Sequence, residues 1–510
     1  MSENLSKEIV LKVITKGKEQ NRGKEIELSH QPGKTALETM REGGVILPSL
    51  CNGLGKCGKC MVRFLGYVPL PTQADRALLS PQELREGYRL ACTAKPAKSA
   101  VVETDFDFQE QIQTITESVM QEAASDEMEE EISRETVIAV DIGTTTVAMH
   151  LVAAESGRRL DTYTCLNPQR VYGADVISRI RAGMDGKGEH LQSLIREALG
   201  KGHRQLVQTA ESLSFSIPEK MMISCNTVMG HIFMGYPLDG LGHSPFQPVS
   251  LKAEYTEWEG MEVGLVPGIS AFVGGDIISG VYACGLCERN TEGGEGWLFL
   301  DLGTNAEMVM GMDGHLTATA AAAGPAFEGR GRGGALGAER MEAMALLLDQ
   351  GIMDETGLLR EDCFEEGAEV LLSSGKKVRI MQEDIRDIQM AKAAVRTGID
   401  FMLRTMPEGS YEKIHHVYLA GGLGFYLSAE TAARIGLIPG ELSGRVQTVG
   451  NTSLAGAVSL AGSWQKHGTK EVEQLEAYGE RIEVFNLAET EGFEEIYIGY
   501  MNFPDFLETD

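Results

Sequence analysis

Four cysteines carry the clearest chemistry in this 510-residue chain. Cys51, Cys57 and Cys60 stand in a C-x5-C-x2-C run, and Cys92 follows after 31 intervening residues. Four thiolates can therefore meet at one site, three of them from a single short loop. Gly53, Gly55 and Gly58 let that loop fold tightly and turn backbone N–H groups toward sulfur, which suits a 2Fe-2S cluster and hence one-electron transfer. A structural zinc would also take four thiolates, but zinc ribbons bring them as two C-x2-C knuckles, and here only Cys57 and Cys60 make one. Disulfides suit an exported protein, and the polar start Met1 to Glu8 gives no sign of export.

A second constellation is duplicated. Val137-Ile-Ala-Val-Asp-Ile-Gly-Thr-Thr-Thr and Trp297-Leu-Phe-Leu-Asp-Leu-Gly-Thr-Asn each read as an apolar strand, an aspartate, a glycine and a polar turn. Asp141 and Asp301 lie 160 residues apart, as duplicated half-domains would place them. In such a turn Gly143, Thr144, Thr145 and Thr146, or Gly303, Thr304 and Asn305, can aim N–H and hydroxyl groups at a phosphate tail. The aspartate then holds a hydrated magnesium ion. Either copy alone could be a hairpin with a polar turn; a matched pair can clamp one nucleotide.

Two further features lie between and after these turns. Gly421, Gly422 and Gly424 follow the strand-like run His416-Val-Tyr-Leu-Ala, where missing side chains would let a base or ribose approach the backbone. Asp276 heads a predicted helix in Gly274-Gly-Asp-Ile-Ile-Ser-Gly. It is a candidate to activate water for ATP hydrolysis, with a plain helix N-cap as the competing role, and one residue could serve both. Cys284 and Cys287 form a C-x2-C in the same helix without a second pair, which reads as packing.

The elements that must position these residues follow from periodicity and punctuation. Ile9 to Thr15 and Lys24 to Ser29 read as strands around a turn at Gln20 to Gly23, Thr35 to Glu42 as a helix, and Met61 to Leu65 as a third strand. Ser80-Pro81 is the cap and first position of a second helix. We place domains at 1–103, 137–465 and a tail at 466–510, with 104–136 as an acidic linker. The first 103 residues carry a net charge of +5, the linker −10 and the remainder −23, within a total of −28. Such an acidic balance disfavours nucleic acid as a partner. Without 18 consecutive apolar residues or a signal peptide, a cytoplasmic location with no membrane partner is expected.

The order of elements around the cysteines resembles the β-grasp fold of 2Fe-2S ferredoxins, in the adrenodoxin-like variant with five residues between the first two ligands. The paired phosphate turns followed by the glycine cluster resemble the ASKHA superfamily of acetate and sugar kinases, heat-shock chaperones and actin. The fold expected is therefore an α+β β-grasp ferredoxin domain followed by an α/β duplicated RNase H-like ATPase domain. Sugar kinases of that superfamily have a Gly-Asp-Gln whose aspartate is the general base; Gly275-Asp276 matches and Ile277 replaces the glutamine.

Together the two modules resemble the reductive activators of corrinoid proteins. The likeness runs through Asp141-Ile-Gly-Thr-Thr-Thr, Cys225-Asn-Thr-Val-Met, Leu241-Gly-His-Ser-Pro-Phe, Asp301-Leu-Gly-Thr-Asn-Ala-Glu, Ala323-Gly-Pro-Ala-Phe-Glu-Gly, Asp387-Ile-Gln-Met-Ala-Lys-Ala-Ala and Gly450-Asn-Thr-Ser-Leu-Ala-Gly-Ala. It implies ATP and magnesium as cofactors beside the cluster. It also implies one-electron reduction of Co(II) to Co(I) on a corrinoid protein of a methyltransferase or O-demethylase system, and an electron donor upstream. The well-known members carry a further small domain associated with homodimer formation, where this chain has about 33 residues. Related ATPases that activate 2-hydroxyacyl-CoA dehydratases, and a metabolite kinase with a redox domain, are the alternatives.

Overall fold

A computed structural model describes residues 9–15, 25–43, 45, 47, 55, 58, 60–104, 133–289, 295–327, 335–406 and 411–504. The turn at Gln20 to Gly23, Cys51, Cys57 and nearly all of the acidic linker lie outside the described residues. The chain divides into two compact units, one of residues 1–113 with 166–195, the other of 114–165 with 196–510.

In the first unit a five-stranded sheet runs β2-β1-β5-β3-β4, built from β1 (Ile9–Thr15), β2 (Glu25–His30), β3 (Met61–Leu65), β4 (Tyr88–Leu90) and β5 (Ala100–Thr104). The β1–β5 pair is parallel and the other pairs are antiparallel. Alternation sets the faces: in β3, Val62 and Phe64 point into the core while their neighbours are half-buried. The helix Ala36–Glu42 begins as its sequence dictates, with Thr35 and Glu38 closing a capping box, and Ser80 and Glu83 do the same for Pro81–Arg85. His30 pins the sheet to that first helix. Its Nε2–H donates to the Pro96 carbonyl at 2.9 Å, so Nδ1 accepts from the Thr39 hydroxyl at 2.6 Å.

The second unit is the predicted duplication. One sheet contains β6 (Thr136–Ile142), β7 (Thr146–Ala153), β8 (Arg159–Leu166), β9 (Lys220–Cys225), β10 (Glu254–Trp258) and β11 (Met261–Leu265), in the order β10-β11-β9-β6-β7-β8. The other contains β12 (Gly296–Leu302), β13 (Ala306–Met312) and β14 (His315–Ala321), and then, after a hairpin of β15 (Ala368–Leu371) and β16 (Lys377–Ile380), β17 (Ile414–Ala420), β18 (Val446–Gly450) and β19 (Glu483–Val484). Its order is β18-β17-β12-β13-β14-β19. Each sheet has the same plan: three antiparallel strands, then two parallel strands added beyond the first. β6 and β12 even share one burial pattern, closed everywhere except at the sixth position, which is Asp141 in one and Asp301 in the other.

The helix Thr452–His467 follows β18 of the second sheet yet packs on β6 and β9 of the first, which ties the lobes together. Its crossing with Gly275–Ala283 is close because both helices carry glycine there: a Cβ at Gly456 would lie 2.2 Å from the Ser279 carbonyl oxygen. Residues 466–504 continue this unit. Buried Lys392, in the helix Gln382–Thr405, donates to the carbonyls of Tyr500 and Asn502 at 2.6 and 2.7 Å. The Tyr500 and Tyr411 hydroxyls both donate to Asp400 of the same helix.

Candidate functional site

In the ferredoxin-like unit, Cys60 and Cys92 arrive from different elements and meet. Cys60 ends the loop before β3, Cys92 sits just after β4, and the Ala91 N–H donates to the Cys60 carbonyl at 2.9 Å. Both cysteines are buried, and the Cys60 thiol is drawn down to about 7, first by its hydrogen bond with the Cys92 thiol and against the effect of burial. Gly55 and Gly58 both take φ of +69°, as the tight loop requires. Two buried soft donors, one already pulled toward thiolate, fit an iron–sulfur centre, and Cys60 and Cys92 would hold two of its iron bonds.

Asp75 is the residue here that sequence reasoning missed. Fully buried, it accepts the Leu90 N–H at 2.7 Å through one oxygen, and the Thr72 N–H and hydroxyl at 2.7 and 2.8 Å through the other. It thereby fixes the strand end that carries Cys92. The capping pattern Thr72-x-x-Asp75 was the available signal; its second duty toward Leu90, 15 residues on, was not.

In the two-lobed unit the paired turns face each other. The hydroxyls of Thr145 and Thr304 lie 3.4 Å apart, although 159 residues separate them. Gly143 and Thr144 share the first turn, Thr146 opens β7, and Asn226, the N-cap of the helix Thr227–Met234, donates to the Thr144 hydroxyl at 3.2 Å. In the second turn the Gly303 N–H donates to the Asn305 carbonyl at 2.9 Å. Asp141 accepts from Asn451 Nδ2 at 2.9 Å and from the Ser453 hydroxyl at 2.8 Å. Asp301 sits beside Gly421, whose φ is +81° and whose missing Cβ would lie 2.5 Å from an Asp301 oxygen. Gly424 meets the Leu419 backbone, whereas a Cβ at Gly422 would meet open space.

Acid groups crowd this cleft. Asp276 is pushed up to about 7 by burial and then by Asp141, and burial also raises Asp141 against its two hydrogen bonds. Asp276 is not the helix N-cap. That position is Gly274, and Asp276 is the second helical residue, accepting from the Ile277 N–H at 3.0 Å. Glu307, directly across the ladder from Asp301, is raised well above the carboxylate range by burial, by Asp276 and by Asp301. Among the described residues no three carboxylate, imidazole or thiol groups stand close enough to ligate a metal directly. Magnesium keeps most of its waters and needs only one or two carboxylates plus phosphate, and Asp141 and Asp301 at the two turns would offer these. Cys225 is pushed well up by burial, and Cys284 and Cys287 to about 12, so these thiols are protonated packing groups.

Comparison with known proteins now adds identity to geometry. Residues 136–289 match the RACo middle region, and residues 295–340 and 332–509 match the C-terminal domain of RACo, the ASKHA domain. The chain belongs to the RACo family. Residues 20–97 match the 2Fe-2S iron-sulfur cluster binding domain. This RACo chain is 28% identical over 385 residues to the corrinoid activation enzyme RamQ of Eubacterium limosum, a match spanning 63% of each protein. Its ferredoxin part is 38% identical over 63 residues to a component of the Na(+)-translocating NADH-quinone reductase of Chlamydia muridarum, across 12% of this chain and 15% of that one. A solved reductive activator for corrinoid, iron-sulfur protein shares the fold with a TM-score of 0.62 at 23% identity, covering 97% of this chain and 98% of that one. No helix among the described residues is long and apolar enough to cross a membrane.

Replacing Asp75 with Ala in this RACo chain leaves the buried Leu90 N–H unpaired and loses two bonds to Thr72. We expect a loss of about 3 kcal/mol in the ferredoxin-like unit. Denaturant unfolding followed at the cluster's visible absorption checks this; an unchanged midpoint would contradict the role given to Asp75.

Proposed function

We propose that this chain is an ATP-dependent reductive activator of a corrinoid protein, returning Co(II) to Co(I) by one-electron transfer. One observation carries the reading: a single chain joins a ferredoxin unit, in which Cys60 and Cys92 meet, to a two-lobed acidic cleft whose Thr145 and Thr304 turns face each other. Membership of the RACo family and the match to RamQ support it. The same reading gives the chain a corrinoid protein of a methyltransferase or O-demethylase system as partner, and a separate reductant upstream.

Each part of the chain has its own work in this account. Cys51, Cys57, Cys60 and Cys92 would hold a 2Fe-2S cluster, which when bound would supply the one-electron relay. In the cleft, the turns at 143–146 and 303–305 would hold the phosphates, and Asp141 and Asp301 would hold a magnesium ion that neutralises their charge. Gly422, where a Cβ would meet open space, leaves room for the nucleoside, Gly421 and Gly424 let the strand end pack against Asp301 and Leu419, and Asp276 takes a proton from the attacking water. The need for ATP follows from magnitude: each ~59 mV of uphill one-electron transfer costs about 1.4 kcal/mol. A corrinoid couple lying below an ordinary cluster potential fills only slightly at equilibrium. Nucleotide turnover can bias the bound state of the partner instead.

The test is the visible spectrum of a Co(II) corrinoid protein mixed with the chain, reductant and ATP. We expect Co(I) to appear only when all three are present. Asp141→Ala and Asp301→Ala should abolish both ATP hydrolysis and Co(I) formation while leaving the cluster absorption unchanged. Co(I) formation at the wild-type rate without ATP, or hydrolysis persisting in both variants, would refute the proposal.

Asp276 supplies a pH signature. Its carboxyl is raised to about 7, so the ionised form that can accept a proton grows as pH rises through that value. Wild-type hydrolysis should climb between about pH 6 and 8. Asp276→Asn should lower the rate by about 100-fold and flatten the climb. An Asn variant with the wild-type profile would remove Asp276 from the chemistry.

A further inference from the structure

Ser224 stands beside Asp141 in the first sheet: β6 and β9 run parallel, and the two residues are register partners. Its hydroxyl lies 2.8 Å from that of Ser453, which in turn lies 2.8 Å from Asp141 Oδ1. Ser224 is closed to water and Ser453 nearly so, at 0% and 5% exposure, so solvent competes little for these bonds. The backbone around them has no room to shift. A Cβ at Gly274 would lie 2.5 Å from Asn226 Cα, and one at Gly275 2.6 Å from the Val266 carbonyl oxygen. The helix Gly275–Ala283 is therefore pressed directly on the backbone that follows β9 and β11.

Counting hydrogens fixes the direction of each bond. Asn451 spends its side-chain oxygen on the Leu454 N–H at 2.8 Å, so its amide faces Asp141 Oδ2 as the donor, at 2.9 Å. An ionised Asp141 can only accept, so the single hydroxyl proton of Ser453 goes to Oδ1. The 2.8 Å contact between the serines then requires Ser224 to give its own proton to Ser453. The other acceptor near Ser224, the Gly275 carbonyl, is farther away at 3.3 Å. Donation therefore runs one way, from Ser224 to Ser453 to Asp141.

We propose that Ser224 is a positioning residue for the magnesium and nucleotide site: it holds the Ser453 hydroxyl turned toward Asp141, and so fixes which lone pairs Asp141 presents to the cleft. In this role Ser224 touches neither metal nor phosphate and acts only through Ser453. Asn451 and Ser453 stand at the start of the helix that follows β18, and Ser224 pins this pair of donors to β9. The acid of the first phosphate turn is thus aimed by a helix that arrives from the other half of the duplication. The inference rests on the reading of Asp141 as a magnesium residue, and not on the cluster or the corrinoid partner.

The test is the dissociation constant of a non-hydrolysable ATP analogue from the full chain, measured in excess magnesium and again with the metal chelated. Ser224→Ala should weaken binding about threefold in magnesium and leave metal-free binding unchanged, and Ser453→Ala should weaken it about fivefold with the same split. The double variant should match Ser453→Ala, because Ser224 has no route to Asp141 except through that hydroxyl. A role in packing alone would weaken binding equally with and without the metal. That equal loss, wild-type affinity in magnesium for Ser224→Ala, or a double variant threefold weaker than Ser453→Ala would each overturn the inference. Magnesium tightening the analogue equally in wild type and Asp141→Asn would instead remove the magnesium role of Asp141 on which the inference rests.

Discussion

The two-lobed unit depends on one half-buried carboxylate, Asp141, the single open position of a strand otherwise closed to water. Its charge is met by Asn451 and Ser453, which stand at the start of the helix that crosses from the second lobe to the first. Asn451 is held for this: its side-chain oxygen accepts the Leu454 N–H at 2.8 Å, which leaves its amide nitrogen to aim at Asp141. The Ser453 hydroxyl also meets Ser224 of β9 at 2.8 Å. The same contact therefore joins the lobes and sets the acid that faces the phosphate turn. Gly456 and Gly280 make it possible, because larger residues would push the two helices apart.

What this arrangement leaves unresolved is charge. Asp141, Asp276, Asp301 and Glu307 line one cleft; burial raises Asp141, Asp276 and Glu307, and repulsion adds to it for Asp276, from Asp141, and for Glu307, from Asp276 and Asp301. Such a cluster is costly alone and favourable around a divalent cation. The free cleft is thus held in an unfavourable electrostatic state that magnesium and nucleotide relieve together.

Much of this was legible in the sequence. The strand, aspartate and glycine pattern could be read twice because both strands are continuous apolar runs, so Asp141 and Asp301 stand out. The ferredoxin helices were readable from Thr35, Ser80 and Pro81, since capping is local chemistry. Glu307 was not readable as a site residue: β13 is buried along its whole length, so no alternation marks which face its side chain takes. Asn451 and Ser453 were hidden for another reason, lying 310 and 312 residues from Asp141. Asp276 was read as a possible cap because helix starts are uncertain by a residue or two, and the true cap is Gly274. The placement of residues 166–195 with the ferredoxin fold has no local signal at all.

The account stands most directly on the equilibrium affinity of the full chain for a non-hydrolysable ATP analogue, measured with and without magnesium in the wild type and in Asp141→Asn. If the carboxylates form the magnesium side of the site, the metal should tighten wild-type binding at least tenfold. In the variant, magnesium should do much less, and metal-free binding should match or exceed wild type because a repelling charge is gone. An equal magnesium effect in both proteins would contradict the account.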